Sequence, residues 1–143
     1  MTYSMKNMFI KVLSVLSLVL VFSPFANAAE EPEVMGVLFY ADWCNSCKVL
    51  EPRIDQARVD SSLDSGSVLF VTLDLTDEVT IHQSQLLAES LGLGDVYTAH
   101  EGTTGFMLLV DADSKKVITR LTKELESEDI SDLVGKAITH ASS

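Results

Sequence analysis

The sequence predicts an α/β fold, a four-stranded mixed sheet flanked by helices, and two observations support this prediction. The hydrophobic patterns alternate in the order strand, helix, strand, helix, strand, strand, helix. Such an order places helices against a sheet in which some neighbours are parallel and the last two strands form a hairpin. The final segment also has one apolar helical face, formed by Ile130, Leu133, Val134, Ala137 and Ile138. No internal repeat interrupts this order, which predicts a single domain over residues 29–143.

The first strand and the first helix are predicted from a change in pattern at residue 42. Val34–Ala41 (VMGVLFYA) is a nearly continuous apolar run, which is typical of a strand buried on both faces of a sheet. A helix is predicted from Asn45 to about Leu63, interrupted or bent at Pro52, because proline cannot donate the hydrogen bond of a helix interior. Residues 61–67 then predict a turn.

The middle of the chain predicts one more strand and one more helix. Val68–Leu75 is rich in β-branched and apolar residues and reads as the second strand. A helix is predicted from about Glu78 to Leu91, where Gly92 stops it. Residues 93–104 (LGDVYTAHEGTT) are predicted to form a loop.

The last third of the chain predicts a hairpin and a closing helix. Phe106–Val110 and Val117–Leu121 read as two strands joined by the polar turn Asp111–Lys116, which makes an antiparallel pair. Ser127 is the predicted N-cap of the last helix, and the acidic residues that follow it suit the positive end of the helix dipole.

Residues 1–28 predict a signal peptide. Lys6 and Lys11 form a basic segment, Val12–Phe25 is mostly apolar, and Ala26-Asn27-Ala28 offers small residues at the positions that a signal peptidase reads. The alternative is an uncleaved membrane anchor, but the apolar stretch is shorter than a membrane span usually requires. We therefore expect cleavage after Ala28 and a periplasmic or secreted protein that does not contact the membrane.

The charge balance excludes one class of partner. The chain has a formal net charge of −11 at pH 7, and removal of the signal makes it more negative because Lys6 and Lys11 are lost. A net negative charge repels the phosphates of nucleic acid, so we expect no nucleic-acid partner. This charge predicts a weak bias toward neutral or basic partners.

Cys44 and Cys47, the only two cysteines of the chain, form a C-x-x-C motif at the predicted strand-to-helix junction. The unpaired N–H groups and the positive dipole of a helix N-terminus favour a thiolate at Cys44. Cys47 lies about one turn further along the same face, within reach of a disulfide. The pattern predicts a redox couple that exchanges disulfides with protein thiols, with Cys44 as the nucleophile and Cys47 as the resolving thiol.

The cysteine pair has three other interpretations. A structural disulfide is poorly motivated, since so short a loop gains little stability from closure. A zinc site needs about four ligands, and His82, His100 and His140 do not have the spacing of a zinc finger. Two unrelated core cysteines are the third interpretation. We expect neither a metal nor a cofactor.

The run Tyr40-Ala41-Asp42-Trp43-Cys44, followed by Cys47-Lys48 and Pro52, resembles the W-C-x-x-C-K signature of the thioredoxin-like family. The chain looks most like exported members, such as the C-terminal periplasmic domain of the transmembrane thiol reductases. This resemblance implies a thioredoxin-like fold and a thiol-disulfide oxidoreductase of the reductase or isomerase type. It also implies an upstream redox partner.

The resemblance assigns further site residues. Trp43 would flank the cysteines, and the main chain of Thr103 and Thr104 would pair with an extended segment of the partner, so these three residues are the expected substrate-binding set. The intervening dipeptide Asn45-Ser46 would tune the redox potential, in place of the Gly-Pro of thioredoxin.

Three further positions depart from the family. Leu38 stands where thioredoxins carry a buried carboxylate, and Phe70 stands where they carry its neighbouring lysine. Aligning residues 102–106 (GTTGF) with the usual G-x-P-T-F places Thr104 at the family's cis-proline. A cis bond before a non-proline residue costs roughly 2.5–4 kcal/mol, so the Thr103–Thr104 bond is expected to be trans.

Two alternative functions remain open at this point. The first is a Cu(I)-handling protein in which Cys44, Cys47 and His100 hold the ion, because thiolates suit this soft metal. The second is a non-catalytic binding module whose disulfide stays closed.

The residues Tyr97, His100 and Glu101 could overhang the cysteines as a partner-specific surface, or they could be solvated loop residues.

Overall fold

The computed structural model describes residues 31–60 and 66–143, so the predicted signal peptide, residues 1–28, lies outside the described residues. The described part contains one four-stranded sheet with strand order β2-β1-β3-β4. In chain order the elements are β1 (Val34–Tyr40), α1 (Asn45–Asp60), β2 (Val68–Asp74), α2 (Glu78–Ser90), α3 (Gly94–Ala99), β3 (Phe106–Asp111), β4 (Val117–Thr122) and α4 (Ser127–Ala141).

The sheet is mixed, as the sequence predicts. β1 runs parallel to β2, with Val34 opposite Val68, and antiparallel to β3, with Val34 opposite Asp111. β3 and β4 form the predicted antiparallel hairpin, with an irregularity between Leu109 and Val110. The two central strands are almost entirely buried, which explains why their sequences are nearly continuous apolar runs.

Helices cover both faces of the sheet. Alternate residues of β1 point to opposite faces, so Phe39 packs with α2 and α3 while Leu38 packs with α1 and α4. Complete burial of a large apolar side chain such as Phe39 stabilises the fold by about 1.5–3 kcal/mol relative to exposure. The two faces together form the core on which the cysteine motif is mounted.

Residues 93–104 differ from the prediction, because they include the short helix α3. Val96 and Tyr97 are buried, and the Tyr97 hydroxyl donates a hydrogen bond to the Ile81 carbonyl of α2 at 3.4 Å. Tertiary packing therefore stabilises a helix that is too short to be stable alone.

Two helix boundaries also differ. The N-cap of α4 is Glu126 rather than Ser127, and the Asp129 carboxylate accepts the Glu126 N–H at 3.1 Å. α1 continues through Pro52 and ends at Asp60, while residues 61–63 of its predicted end lie outside the described residues.

Polar side chains fix the ends of the helices. Arg53 of α1 donates to the carbonyls of Lys123 and Leu125 at 2.6 and 2.8 Å and pairs with Glu126 at 3.0 Å. These contacts join α1 to the turn that precedes α4.

None of the helices within residues 31–60 and 66–143 is long and apolar enough to cross a bilayer.

Candidate active site

The C-x-x-C motif lies at the junction of β1 and α1. The Cys44 N–H donates to the Ala41 carbonyl at 3.0 Å, which closes a turn directly after the strand, and α1 begins at Asn45. Cys44 and Cys47 form a disulfide, with their Cα atoms 5.3 Å apart. The structure therefore places Cys44 directly before the first residue of α1 and Cys47 in the first turn of that helix.

The two sulfurs have different surroundings. The Cys44 residue is 7% exposed and Cys47 is fully buried. The Cys47 N–H donates to Cys44 Sγ at 3.2 Å, which is a hydrogen bond that stabilises a thiolate at Cys44. Cys47 Sγ lies 3.6 Å from the Phe39 carbonyl, so a reduced Cys47 thiol has an acceptor for its proton.

Gly105 is the residue beside the cysteines that sequence reasoning missed. Its N–H donates to the Phe39 carbonyl at 2.9 Å, and its φ of +93° favours glycine. An added Cβ would lie 3.3 Å from Cys44 Sγ and 2.8 Å from the Cβ of Ser46. The available signal was a glycine directly before a buried strand, in the segment aligned with the family's cis-proline loop.

The predicted partner-binding residues lie just before Gly105. The Thr103 N–H and hydroxyl both donate to the His100 carbonyl, at 3.1 and 2.6 Å. Thr104 is half-buried, and its backbone N–H and carbonyl have no hydrogen-bond partner among the residues that the structure describes. No peptide bond in the described ranges is cis, so the Thr103–Thr104 bond is trans, as expected.

Trp43 lies on the exposed side of the motif. Its side chain is largely in solvent, at 61% exposure for the residue, while the indole N–H donates to the Thr76 carbonyl at 3.2 Å. The Asp42 N–H donates to the Thr76 hydroxyl at 3.0 Å, so Thr76 holds both residues. The Tyr40 hydroxyl donates to the Asp42 carboxylate at 2.9 Å, and this hydrogen bond raises the pKa of Tyr40.

The two family positions that are replaced here lie in the apolar core. Leu38 is buried and Phe70 is half-buried in the same cluster, on the side of α1 and α4. The Arg58 guanidinium lies 4.5 Å from the centre of the Phe70 ring. Both positions at which the sequence is expected to depart from the family thus carry apolar side chains of this cluster. Of the predicted redox-tuning pair, Asn45 is exposed and Ser46 contacts the Gly105 segment.

His100 is not joined to the cysteines in a metal site. Its ring packs against Phe39 and Phe106, with ring centres 5.6 and 5.4 Å apart. Within the described ranges, no three side chains among histidine, cysteine, aspartate and glutamate lie close enough together to hold a metal ion.

Residues 18–87 match the Thioredoxin family model. Thioredoxin-T of Drosophila melanogaster is 35% identical over 51 residues, which cover 36% of this chain and 32% of that protein. The match therefore spans about a third of that relative's length.

The solved structures with a similar fold include two that, by their names, act on thiols and disulfides. A thiol:disulfide interchange protein from Chlorobium tepidum has 19% identity and a TM-score of 0.50, over 74% of this chain and 80% of its own. The thioredoxin domain of a thiol-disulfide oxidoreductase from Bacteroides vulgatus has 15% identity and a TM-score of 0.50, over 76% of this chain and 81% of its own. At these identities the likeness concerns the fold. The chain therefore has the thioredoxin fold with a C-x-x-C pair, and residues 18–87 match the Thioredoxin family model.

Proposed function

We propose that the protein is an exported thiol-disulfide oxidoreductase that exchanges disulfides with protein partners through Cys44 and Cys47. The observation that carries this proposal is the difference between the two sulfurs. Cys44 is the more exposed one and its sulfur accepts a helix N-terminal N–H, while Cys47 is buried behind it. This is the arrangement that an attacking thiolate and a resolving thiol require.

The reduction of a partner proceeds in two exchanges. The Cys44 thiolate attacks one sulfur of the partner's disulfide, the partner's S–S bond breaks, and its second sulfur leaves as a thiolate that takes a proton from water. Cys47 then loses its proton and attacks Cys44 Sγ, which releases the first partner sulfur and closes the Cys44–Cys47 disulfide. Two electrons pass from the dithiol to the partner. Oxidation of a dithiol partner is the reverse, and an upstream redox partner restores the starting state.

Water is the proton acceptor for Cys47 in this scheme. The family's buried carboxylate is replaced by Leu38, which lies in the apolar core. We therefore expect the resolving step to depend less on a titrating carboxyl group than it does in thioredoxins.

The backbone of Thr104 supports the binding of an extended partner segment. Its N–H and carbonyl have no partner in the described part of the chain, and it directly precedes Gly105, which lies against Cys44. An added strand satisfies such groups and holds a partner cysteine in register. Thr103 is less available, because its N–H is used by the His100 carbonyl.

Export is supported by the sequence of residues 1–28. The basic residues, the apolar stretch and the Ala26-Asn27-Ala28 site are those of a cleaved signal, and an oxidising compartment is where disulfides persist. Mass spectrometry of the protein recovered from a periplasmic extract or culture medium tests the predicted cleavage after Ala28. A recovered protein that still begins at Met1 would contradict it.

The catalytic assignment is tested with Cys44→Ser and Cys47→Ser. We expect Cys44→Ser to abolish the reduction of insulin by the protein with dithiothreitol. Cys47→Ser keeps the nucleophile but cannot resolve, so it accumulates mixed disulfides that dithiothreitol releases. Full insulin reduction by Cys44→Ser would refute the assignment.

The alternatives give different results in two further measurements. Tight one-to-one binding of Cu(I) under anaerobic conditions, lost in His100→Ala, would favour metal handling over disulfide exchange. A redox potential below about −300 mV would indicate a structural disulfide and a non-catalytic binding module.

A further inference from the structure

An apolar groove of about 240 Å³ lies next to the cysteine motif. Trp43, which precedes the reactive cysteine, and Thr104, which precedes Gly105, form its near side. The remaining lining residues come from the end of β2, from α2 and from the segment around α3, namely Leu75, Ile81, Tyr97, Glu101 and Gly102. A partner segment that reaches Cys44 along Thr104 therefore passes this groove.

The far wall of the groove is held in place by packing. Tyr97 is buried, and its hydroxyl reaches the Ile81 carbonyl. The His100 ring, at the end of α3, packs against the buried rings of Phe39 and Phe106. The wall is thus attached to the core, and a preformed groove binds with a smaller ordering cost than a loop that must fold around its ligand.

The charged side chain that lines the groove is negative. Glu101 is the only charged residue among those that line it in the described part of the chain. Burial raises the pKa of Tyr97, and the negative charge of Glu101 raises it further, which agrees with a position of Glu101 close to the groove. Asp42 is a further acid, directly before Trp43, and Asp77 directly follows Thr76, whose carbonyl accepts the N–H of the Trp43 indole.

We infer that this groove selects partner cysteines whose flanking residues are one bulky apolar side chain and one lysine or arginine. The apolar side chain occupies the groove between Trp43 and Ile81, and the basic side chain pairs with Glu101. The inference rests on the proposed function, because the groove acts on the segment that Cys44 attacks.

Short peptides test this selectivity. Each peptide carries one cysteine as a mixed disulfide with 5-thio-2-nitrobenzoate, flanked by leucine or alanine on one side and by lysine, glutamine or glutamate on the other, in both orders. The reduced protein attacks the peptide sulfur, and the coloured nitrobenzoate thiolate leaves, so its release gives the rate of the first exchange. Cys47 then displaces the peptide as a free thiol.

We expect the lysine peptides to react about two- to five-fold faster than the glutamate peptides at low salt, the range of an exposed ion pair. Glu101→Gln removes this preference and Glu101→Lys reverses it. Glu128→Gln, which neutralises an exposed glutamate on α4 at the other face of the sheet, keeps it. The preference for leucine over alanine is lost in Ile81→Ala.

The neutral disulfide 2,2′-dithiodipyridine, which has no flanking residues, reports the intrinsic reactivity of Cys44. We expect its rate to be equal in the unmodified protein and in Glu128→Gln. An unchanged lysine preference in Glu101→Gln, with this rate and insulin reduction intact, would overturn the selectivity and leave the proposed function standing. A protein that reacts with no disulfide at all would overturn both.

Discussion

Replacing Gly105 by alanine is the most direct test of how the active-site segment is built. The new residue would have to keep a φ of +93°, a backbone conformation that costs an ordinary residue about 1–2 kcal/mol. Its Cβ would also lie 2.8 Å from the Cβ of Ser46, and overpacking of this kind costs about 1–3 kcal/mol. We therefore expect Gly105→Ala to lower the free energy of unfolding by about 2–5 kcal/mol.

Gly102→Ala is the matched control. Gly102 also has a positive φ, of +74°, but an added Cβ would meet no atom within 4 Å. It should lose only the backbone contribution, about 1–2 kcal/mol. A second control uses Ser46→Gly, which removes the Cβ that Gly105→Ala would contact, so the double variant should recover part of the loss.

Urea denaturation of the oxidised proteins measures these differences, provided that the slope of the transition is unchanged. The reasoning would be refuted if Gly105→Ala were no less stable than Gly102→Ala, or if Ser46→Gly recovered nothing. The alanine methyl would also lie 3.3 Å from Cys44 Sγ, so the variant should react more slowly with 5-thio-2-nitrobenzoate disulfide.

Three further predictions concern positions around the site and the helix ends. Asp77, the N-cap of α2, accepts backbone hydrogen bonds from Thr80 and Val79 that lower its pKa from the usual value of an aspartate. The stability that it adds is therefore present above that usual pKa and is lost as the pH falls through the lower pKa of the folded state. Asp77→Ala should reduce the thermal midpoint at neutral pH, and a difference that did not shrink in acid would contradict this. Arg53→Lys should cost about 1–2 kcal/mol in urea denaturation, because lysine cannot reach two carbonyls and Glu126 at once; equal stability would show that these contacts add nothing. Thr104→Pro should fold, because the Thr104 N–H has no partner in the described residues. It should shift the redox potential or the rate of disulfide exchange. If both were unchanged, the proposed role of the Thr104 backbone in partner binding would be contradicted.

Much of the fold could be predicted because its signals are local. The apolar run of β1, the hairpin turn and the apolar face of α4 each encode one element in consecutive residues. The position of the C-x-x-C pair followed from the first two elements, since a strand that ends at residue 40 and a helix that begins at residue 45 leave the cysteines at the junction.

The features that could not be predicted depend on residues distant in sequence. α3 is stabilised by the burial of Val96 and Tyr97 against the sheet and α2. The sequence of the six-residue helix itself does not reveal this packing. The need for glycine at position 105 arises from Ser46 and Cys44, and these become its neighbours only when β1 and β3 pair. The replacement of the family's proline by Thr104 was visible, but the use of a positive φ one residue later was not.

The place of β1 in the sheet has a consequence for how the chain folds. β1 comes first among the described strands, yet both of its neighbours are synthesised later, and Val34 does not meet Asp111 until β3 is complete. Sheets built on such distant pairings form slowly, because the chain must close long loops before the contacts repay the lost entropy. During that interval β1 can pair only with β2, so at least one of its two edges stays unpaired. A nascent chain of this protein is therefore most exposed to aggregation before β3 emerges, and to capture by a chaperone that binds extended apolar segments.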